Sequence, residues 1–187
     1  MSTNWKLGLS FTLVTVLMWG LLPLALKVLL DVMDPITISW YRFSLSALIA
    51  LLWYGRQRGT ALKNLLVSKS GPLTAVAVVG LLSNYLLYIC GLDHINPGAA
   101  QILIQLAPLL LLIGSVVIFK EAFSAVQWLG VATLVGGMLL FFHQRLTSIV
   151  LTSDTYLAGI GLIVAAAVTW ACYGLSQKKF LVEHNSK

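Results

Sequence analysis

Residues 8–27 read GLSFTLVTVLMWGLLPLALK, and residues 159–178 read GIGLIVAAAVTWACYGLSQK. Neither stretch carries a charge before its closing lysine. A helix rising about 1.5 Å per residue needs about 20 such residues to cross ~30 Å of hydrocarbon. Both therefore read as transmembrane helices. Displaced by 151 positions, they pair Gly8 with Gly159, Trp19 with Trp170, Leu24 with Leu175 and Lys27 with Lys178. Apolar helices align easily with one another, but Gly, Trp and Lys are the rarer residues in them. The pairing reads as an internal repeat.

The charges that bound these stretches are scarce throughout. Of 187 residues, 59% are hydrophobic and 10% charged, with 12 Lys and Arg against 6 Asp and Glu. A soluble domain carries charge on about a quarter of its residues. The composition excludes a soluble enzyme, a disordered tail and a disulfide scaffold, and it points to an all-α integral membrane protein. The net charge of +6 is no nucleic-acid signature, because the cations sit between apolar runs, where they act as topology signals. Cys90 and Cys172 fall inside such runs and read as small buried hydrophobes. Intervals with at most one charge give about six spans: Leu7–Leu30, Ile36–Tyr54 with Arg42 inside it, Pro72–Cys90, Pro97–Phe119, Ala125–Phe142 and Tyr156–Gln177. A barrel would alternate apolar and polar residues along its strands, whereas Leu106–Ile113 is continuously apolar. The first span is too long for a signal-peptide core and is followed by no cleavage site.

Orientation follows from the cations. With the N-terminus inside, one side collects Lys6, Arg56, Arg58, Lys63, Lys69, Lys120, Lys178, Lys179 and Lys187. The other collects Lys27, Arg42 and Arg145. The bias places both termini in the cytoplasm. Gly55–Ser70 is expected to be a longer basic connection on that side.

A repeat unit of five spans is odd, so its second copy enters the membrane from the opposite face. Inverted repeats of this kind mark secondary transporters with a midplane site between the halves. The reading divides the chain into residues 1–145, a first five-helix unit, and residues 146–187, a loop and the first helix of a second. The chain is accordingly expected to be a shortened part of a parent of roughly 300 residues, and to be inactive alone. Its implied partners are the lipid bilayer, a small-molecule substrate, and the missing half or a second copy in a homodimer.

Several motifs in order resemble the EamA-type drug/metabolite transporters. They are Trp19-Gly20 with Pro23 and Lys27, Asp34-Pro35 with Arg42, then Tyr88, Gly91-Leu92, Ala99-Ala100, Pro108, Lys120-Glu121, Gly130 and Gly136-Gly137. The resemblance covers Leu7–Phe142 and the first helix beyond. Leu92–Pro97 departs from the family's usual aromatic-Thr-Ser-Ala stretch, so selectivity does not carry over. The resemblance implies a bacterial inner-membrane transporter, more often an exporter, of small organic metabolites such as amino acids, working by alternating access. The competing reading is a non-transporting membrane assembly or scaffold subunit.

The candidate substrate-binding residues are polar or aromatic side chains inside spans. Gln101 and Gln105, with Pro108 and Gly98, share one helix face by their spacing. The amides either line a wet cavity or bond to a neighbouring helix. Pro108 should bend its helix, and Pro23 is assigned a like kinking or gating role. Asn84 and Tyr88 either line the pathway or belong to a small-residue packing stripe. Trp19 and Trp170 lie too deep for an interfacial belt and either face substrate or pack, with Tyr173 three residues on. Lys27 and Arg42 read as snorkelling anchors, or draw anions to the outer mouth, or pair with Asp31 or Asp34. Glu121 reads as a cap or salt-bridge partner. Gly130, Gly136 and Gly137 are assigned to close helix contact. No carboxylate lies within a span, no Walker motif occurs, His94, His143 and His184 are scattered, and no metal or cofactor is implied.

The orientation is testable in a chain whose Cys90 and Cys172 are replaced by alanine. A membrane-impermeant thiol reagent should label Asp93→Cys on intact cells and Thr60→Cys only after permeabilisation. The reverse pattern would refute the assigned topology.

Overall fold

The computed structural model describes residues 5–67, 71–149 and 154–185. Seven helices account for nearly all of them: α1 Trp5–Leu30, α2 Pro35–Val67, α3 Gly71–His94, α4 Pro97–Leu103, α5 Leu106–Phe119, α6 Ala125–Ile149 and α7 Asp154–Asn185. No strand occurs among the described residues.

The boundaries follow from local chemistry. Asp34 precedes α2 and accepts from the Thr37 amide at 3.0 Å and from its hydroxyl at 2.6 Å. That hydroxyl bond, with the amide bond behind it, holds the Asp34 carboxyl below its usual range. Asn96 caps α4 by accepting from the Ala99 amide at 2.8 Å, and Pro97 fills the first helical position, where its missing amide costs nothing. The span expected over Pro97–Phe119 is two helices, broken at Ile104 and Gln105. Pro108 has no amide hydrogen for the Ile104 carbonyl. That carbonyl accepts from Ala107 instead, at 2.9 Å, and Gln105 donates to Ile102 at 3.1 Å. The chain thus tightens by one i→i+3 turn and resumes. α5 ends at Lys120, whose φ of 53° is left-handed and costs a non-glycine residue about 1 kcal/mol.

Five stretches are long and apolar enough to cross a bilayer: α1, Pro35–Trp53 of α2, α3, the α4–α5 pair, and Asp154–Val182 of α7. The apolar part of α6, Ala125–Phe141, is shorter. The chain is an all-helical membrane protein of about six spans. Its helices run past the expected ends. The basic stretch expected as a connection continues α2 to Val67, and residues 68–70 lie outside the described residues. Leu, Lys, Gln and Arg favour helix well enough to carry it through Gly55 and Gly59.

The centre of the bundle is the pair α3 and α7, with α5 on α7, α2 on α3, and α1 on α3 and α4. Glycines let α3 and α7 approach. A Cβ added at Gly91 would lie 2.8 Å from the Ile163 side chain and 3.0 Å from the Gly159 carbonyl. One at Gly159 would lie 2.6 Å from Ile95 and 3.1 Å from the Gly91 carbonyl. Gly114 of α5 and Gly174 of α7 make equally tight room for Leu175 and Leu111. Around the seam sits a core of Leu26, Ile38, Ile89, Leu92, Ile95, Ala99, Ala100, Leu103 and Ile163.

Three expectations need correction. Gly130, Gly136 and Gly137 meet nothing within 4 Å, because α6 stands off from the other helices and is exposed along most of its described length. Cys172 is exposed rather than buried, and both cysteines are free. Lys27 is neither a snorkelling anchor nor an aspartate's partner in this fold. Its Nζ donates to the carbonyls of Leu92 at 2.9 Å and Asp93 at 2.8 Å, closing the C-terminal end of α3, where the helix dipole favours a cation. Glu121 does form the expected ion pair, accepting from Lys178 at 2.7 Å.

Gly91→Leu should therefore force α3 and α7 apart, at about 2 kcal/mol of overpacking strain. Gly136→Leu should change little. Thermal unfolding in detergent measures both, and equal effects would contradict the seam.

Candidate functional site

Where α1 leaves the core, a cavity of about 560 Å³ opens between it and α2, α3, α4, α5 and α7. Only the C-terminal half of α1 is anchored, through Pro23, Leu26 and Lys27; its residues from Trp5 to Trp19 are exposed. The cavity is lined by Trp19, Leu22 and Pro23 from α1, Arg42 from α2, Asn84, Tyr85 and Tyr88 from α3, and Trp170 from α7. Gln101, Ile104, Gln105, Ala107 and Pro108 complete it from the α4–α5 segment.

Eight of the nine residues singled out from the sequence are brought together here. Trp19 and Trp170, matched by the repeat, face one space. Gln101 lies in α4 and Gln105 in the helix break itself, and the tightened turn before Pro108 carries Gln105 to the same cavity as Gln101. Asn84 lines the cavity and also bonds across the seam: its Nδ2 donates to the Ala166 carbonyl at 2.8 Å, and the residue is buried. The alternatives of pathway lining and helix–helix bond coexist in that side chain. The Tyr88 hydroxyl donates to Gln101 Oε1 over a long 3.4 Å, tying α3 to α4.

Tyr173 is not brought to the cavity. Three residues along a helix leave a side chain about 60° round from the first, and here that offset turns Tyr173 away from the cavity and toward α3. There its Cβ lies 3.4 Å from where a Gly80 Cβ would be, and it borders a separate groove with Thr74 and Gln177.

Two residues join the site that the sequence reading had placed elsewhere or passed over. Arg42 does not snorkel: its guanidinium carbon lies 4.9 Å from the centre of the Tyr85 ring, and its Nη1 is shielded from solvent without a hydrogen-bond partner. Tyr85 is held from behind by Phe43, with centroids 5.7 Å apart and rings at 83°. A signal for Tyr85 existed, since Arg42 and a tyrosine next to Asn84 both interrupt apolar runs. Their sharing one face across two helices is a tertiary fact. Among the described residues no group of three or more His, Cys, Asp or Glu side chains could hold a metal ion.

The model of the EamA-like transporter family matches residues 6–143. An uncharacterized transporter of Haemophilus influenzae is 40% identical over 97% of this chain, which covers 58% of that protein. The uncharacterized inner membrane transporter YhbE of Escherichia coli K12 is 34% identical over 94% of the chain, 55% of its own length. A protein of Salmonella typhimurium described as a "probable amino-acid metabolite efflux pump" is 25% identical over 94% of the chain. The chain thus spans little more than half the length of the curated relatives it matches. No solved structure matches it at a significant level.

The geometry separates two amides that the sequence treats alike. Asn84→Leu should lower stability in detergent by about 1 kcal/mol, since it removes an interhelical bond within hydrocarbon. Gln105→Leu, with no such bond, should leave the unfolding temperature near wild type. Equal losses would show that Asn84 and Gln105 do the same structural work.

Proposed function

The chain belongs to the EamA-like transporter family and is a multi-pass inner-membrane transporter protein by that kinship; from there we propose that it moves small organic metabolites of amino-acid size outward by alternating access. The observation that carries this reading is the cavity itself. In hydrocarbon, polar side chains are placed at a cost and face a protein or water-filled interior. Here Asn84, Gln101, Gln105 and Arg42 converge on one space together with four aromatic rings. Such a lining, apolar and aromatic surface with a few polar groups set into it, suits an organic solute better than a bare ion. The efflux direction and the amino-acid class lean on the description of the more distant Salmonella relative.

In this proposal residues 1–145 form one five-helix unit and residues 146–187 open a second, with both termini cytoplasmic. α7 then belongs by sequence to the second unit and by packing to the first. Alternating access requires an opposing unit of comparable size rocking around the cavity, supplied by the same polypeptide or by a second copy. The prolines serve that motion as places where the backbone already lacks a hydrogen bond. No observation favours a scaffold role.

The test is flux of a mixture of labelled amino acids from proteoliposomes carrying the protein purified from its native membrane. Gln101→Leu and Gln105→Leu should each cut flux by about tenfold, the equivalent of ~1.4 kcal/mol of lost binding. Tyr173→Leu, outside the cavity, should leave it within about twofold. Normal flux in both glutamine variants would sink the cavity assignment.

A further inference from the structure

Of the side chains that line this cavity, some can only donate a hydrogen bond and none can only accept one. Arg and the Trp indole donate without accepting, and Arg42, Trp19 and Trp170 all line the space. Gln101 has its acceptor oxygen engaged by the Tyr88 hydroxyl, which leaves its amide hydrogens. Among the described residues no Asp or Glu lines the cavity, so none of them sets an opposite charge against Arg42 there. The ion pair of Glu121 and Lys178 joins α7 to the end of α5, away from the cavity-lining residues.

How Arg42 is held matters more than its charge. Its guanidinium carbon lies 4.9 Å from the centre of the Tyr85 ring, within reach of a cation–π contact, which leaves the N–H donors of the fork to other partners. Phe43 packs edge-to-face against Tyr85 and fixes the platform. One terminal nitrogen, Nη1, is cut off from solvent with no partner. A desolvated charged donor of this kind is costly to leave unmet. A planar carboxylate that enters beside the guanidinium can meet its fork with two parallel bonds.

We propose that the cavity recognises small organic substrates by a free carboxylate, which docks on the edge of Arg42 while aromatic side chains enclose the remainder of the molecule. The proposal rests on the transporter reading and narrows its substrate class. A single guanidinium neutralises one negative charge, which matches a carboxylate. A phosphate monoester would carry a second charge into a space with no cation to meet it. The aromatic faces also accept an ammonium group, so amino acids and simple organic acids share the recognised chemistry.

The experiment compares metabolite profiles of the medium from cells expressing the full-length wild-type protein, Arg42→Lys or Arg42→Gln, each at equal membrane level. Compounds whose external level changes with the wild type should carry a free carboxylate. Arg42→Gln should reduce that change by about tenfold, and Arg42→Lys, which keeps the charge but loses the planar fork, should fall between Arg42→Gln and the wild type, an order that a merely structural arginine would not predict. Zwitterions alone among the responders would identify amino acids as the source; anions without an amine would identify organic acids. Responders lacking a carboxylate would overturn the proposal and leave the transporter reading standing. An Arg42→Gln profile equal to wild type would overturn it as well, and that is the result expected if the guanidinium holds a lipid phosphodiester. No responder of any class would overturn both readings together.

Discussion

Everything in this bundle hangs on the closeness of α3 and α7. Lipid tails are as apolar as leucine, so no hydrophobic driving force holds two helices together once both are in the membrane. What remains is packing at short range and hydrogen bonds. The seam has both, with backbone against backbone at Gly91 and Gly159 and a buried bond from Asn84 to Ala166. The Ala166 carbonyl also accepts from Thr169 at 2.9 Å, so the polar contact is itself held in place. Four of the other five helices attach to this pair, α5 and α4 to α7, α2 and α1 to α3, while α6 stands off.

The cavity is a by-product of that arrangement. α1 reaches the core through Pro23, Leu26 and Lys27 and departs from it over the rest of its length. The two lysines matched by the repeat both tie down the end of a neighbouring helix. Lys27 caps α3, and Lys178 joins Glu121 and Ser115, the latter at 3.2 Å, at the end of α5. The ion pair lies beside the left-handed Lys120 and helps to hold that strained turn. The matched tryptophans lie at the cavity. The equivalence fails at the matched glycines, since Gly159 is pressed into the seam and Gly8 touches nothing.

Much of this was legible in the order of residues. Spans follow from charge spacing because the cost of a charge in hydrocarbon is large and local. The cavity residues were readable for the same reason: an amide or a proline in an apolar run is an exception with few explanations. Orientation within a helix was less legible. Tyr173 follows Trp170 closely enough to suggest a common face, yet the rotation carries it to Gly80. Arg42 shows the other limit. A long cation two turns into a span can reach water or a partner, and only the presence of Tyr85 on the facing helix decides for the partner. The glycines of α6 look like those of α3, and no local feature tells which set meets a neighbour.

The Asn84 bond also bears on how the protein is made. Its two ends are 82 residues apart in the chain, with α4, α5 and α6 between them. During synthesis α3 enters the bilayer well before α7 exists. Its amide must therefore wait in lipid, shielded by the insertion machinery or bonded to a provisional neighbour. The native bundle can close only when the last of these helices arrives. Assembly is thus sequential in insertion but late in locking. A ribosome stalled before Asp154 would leave its nascent helices without the partner that organises them.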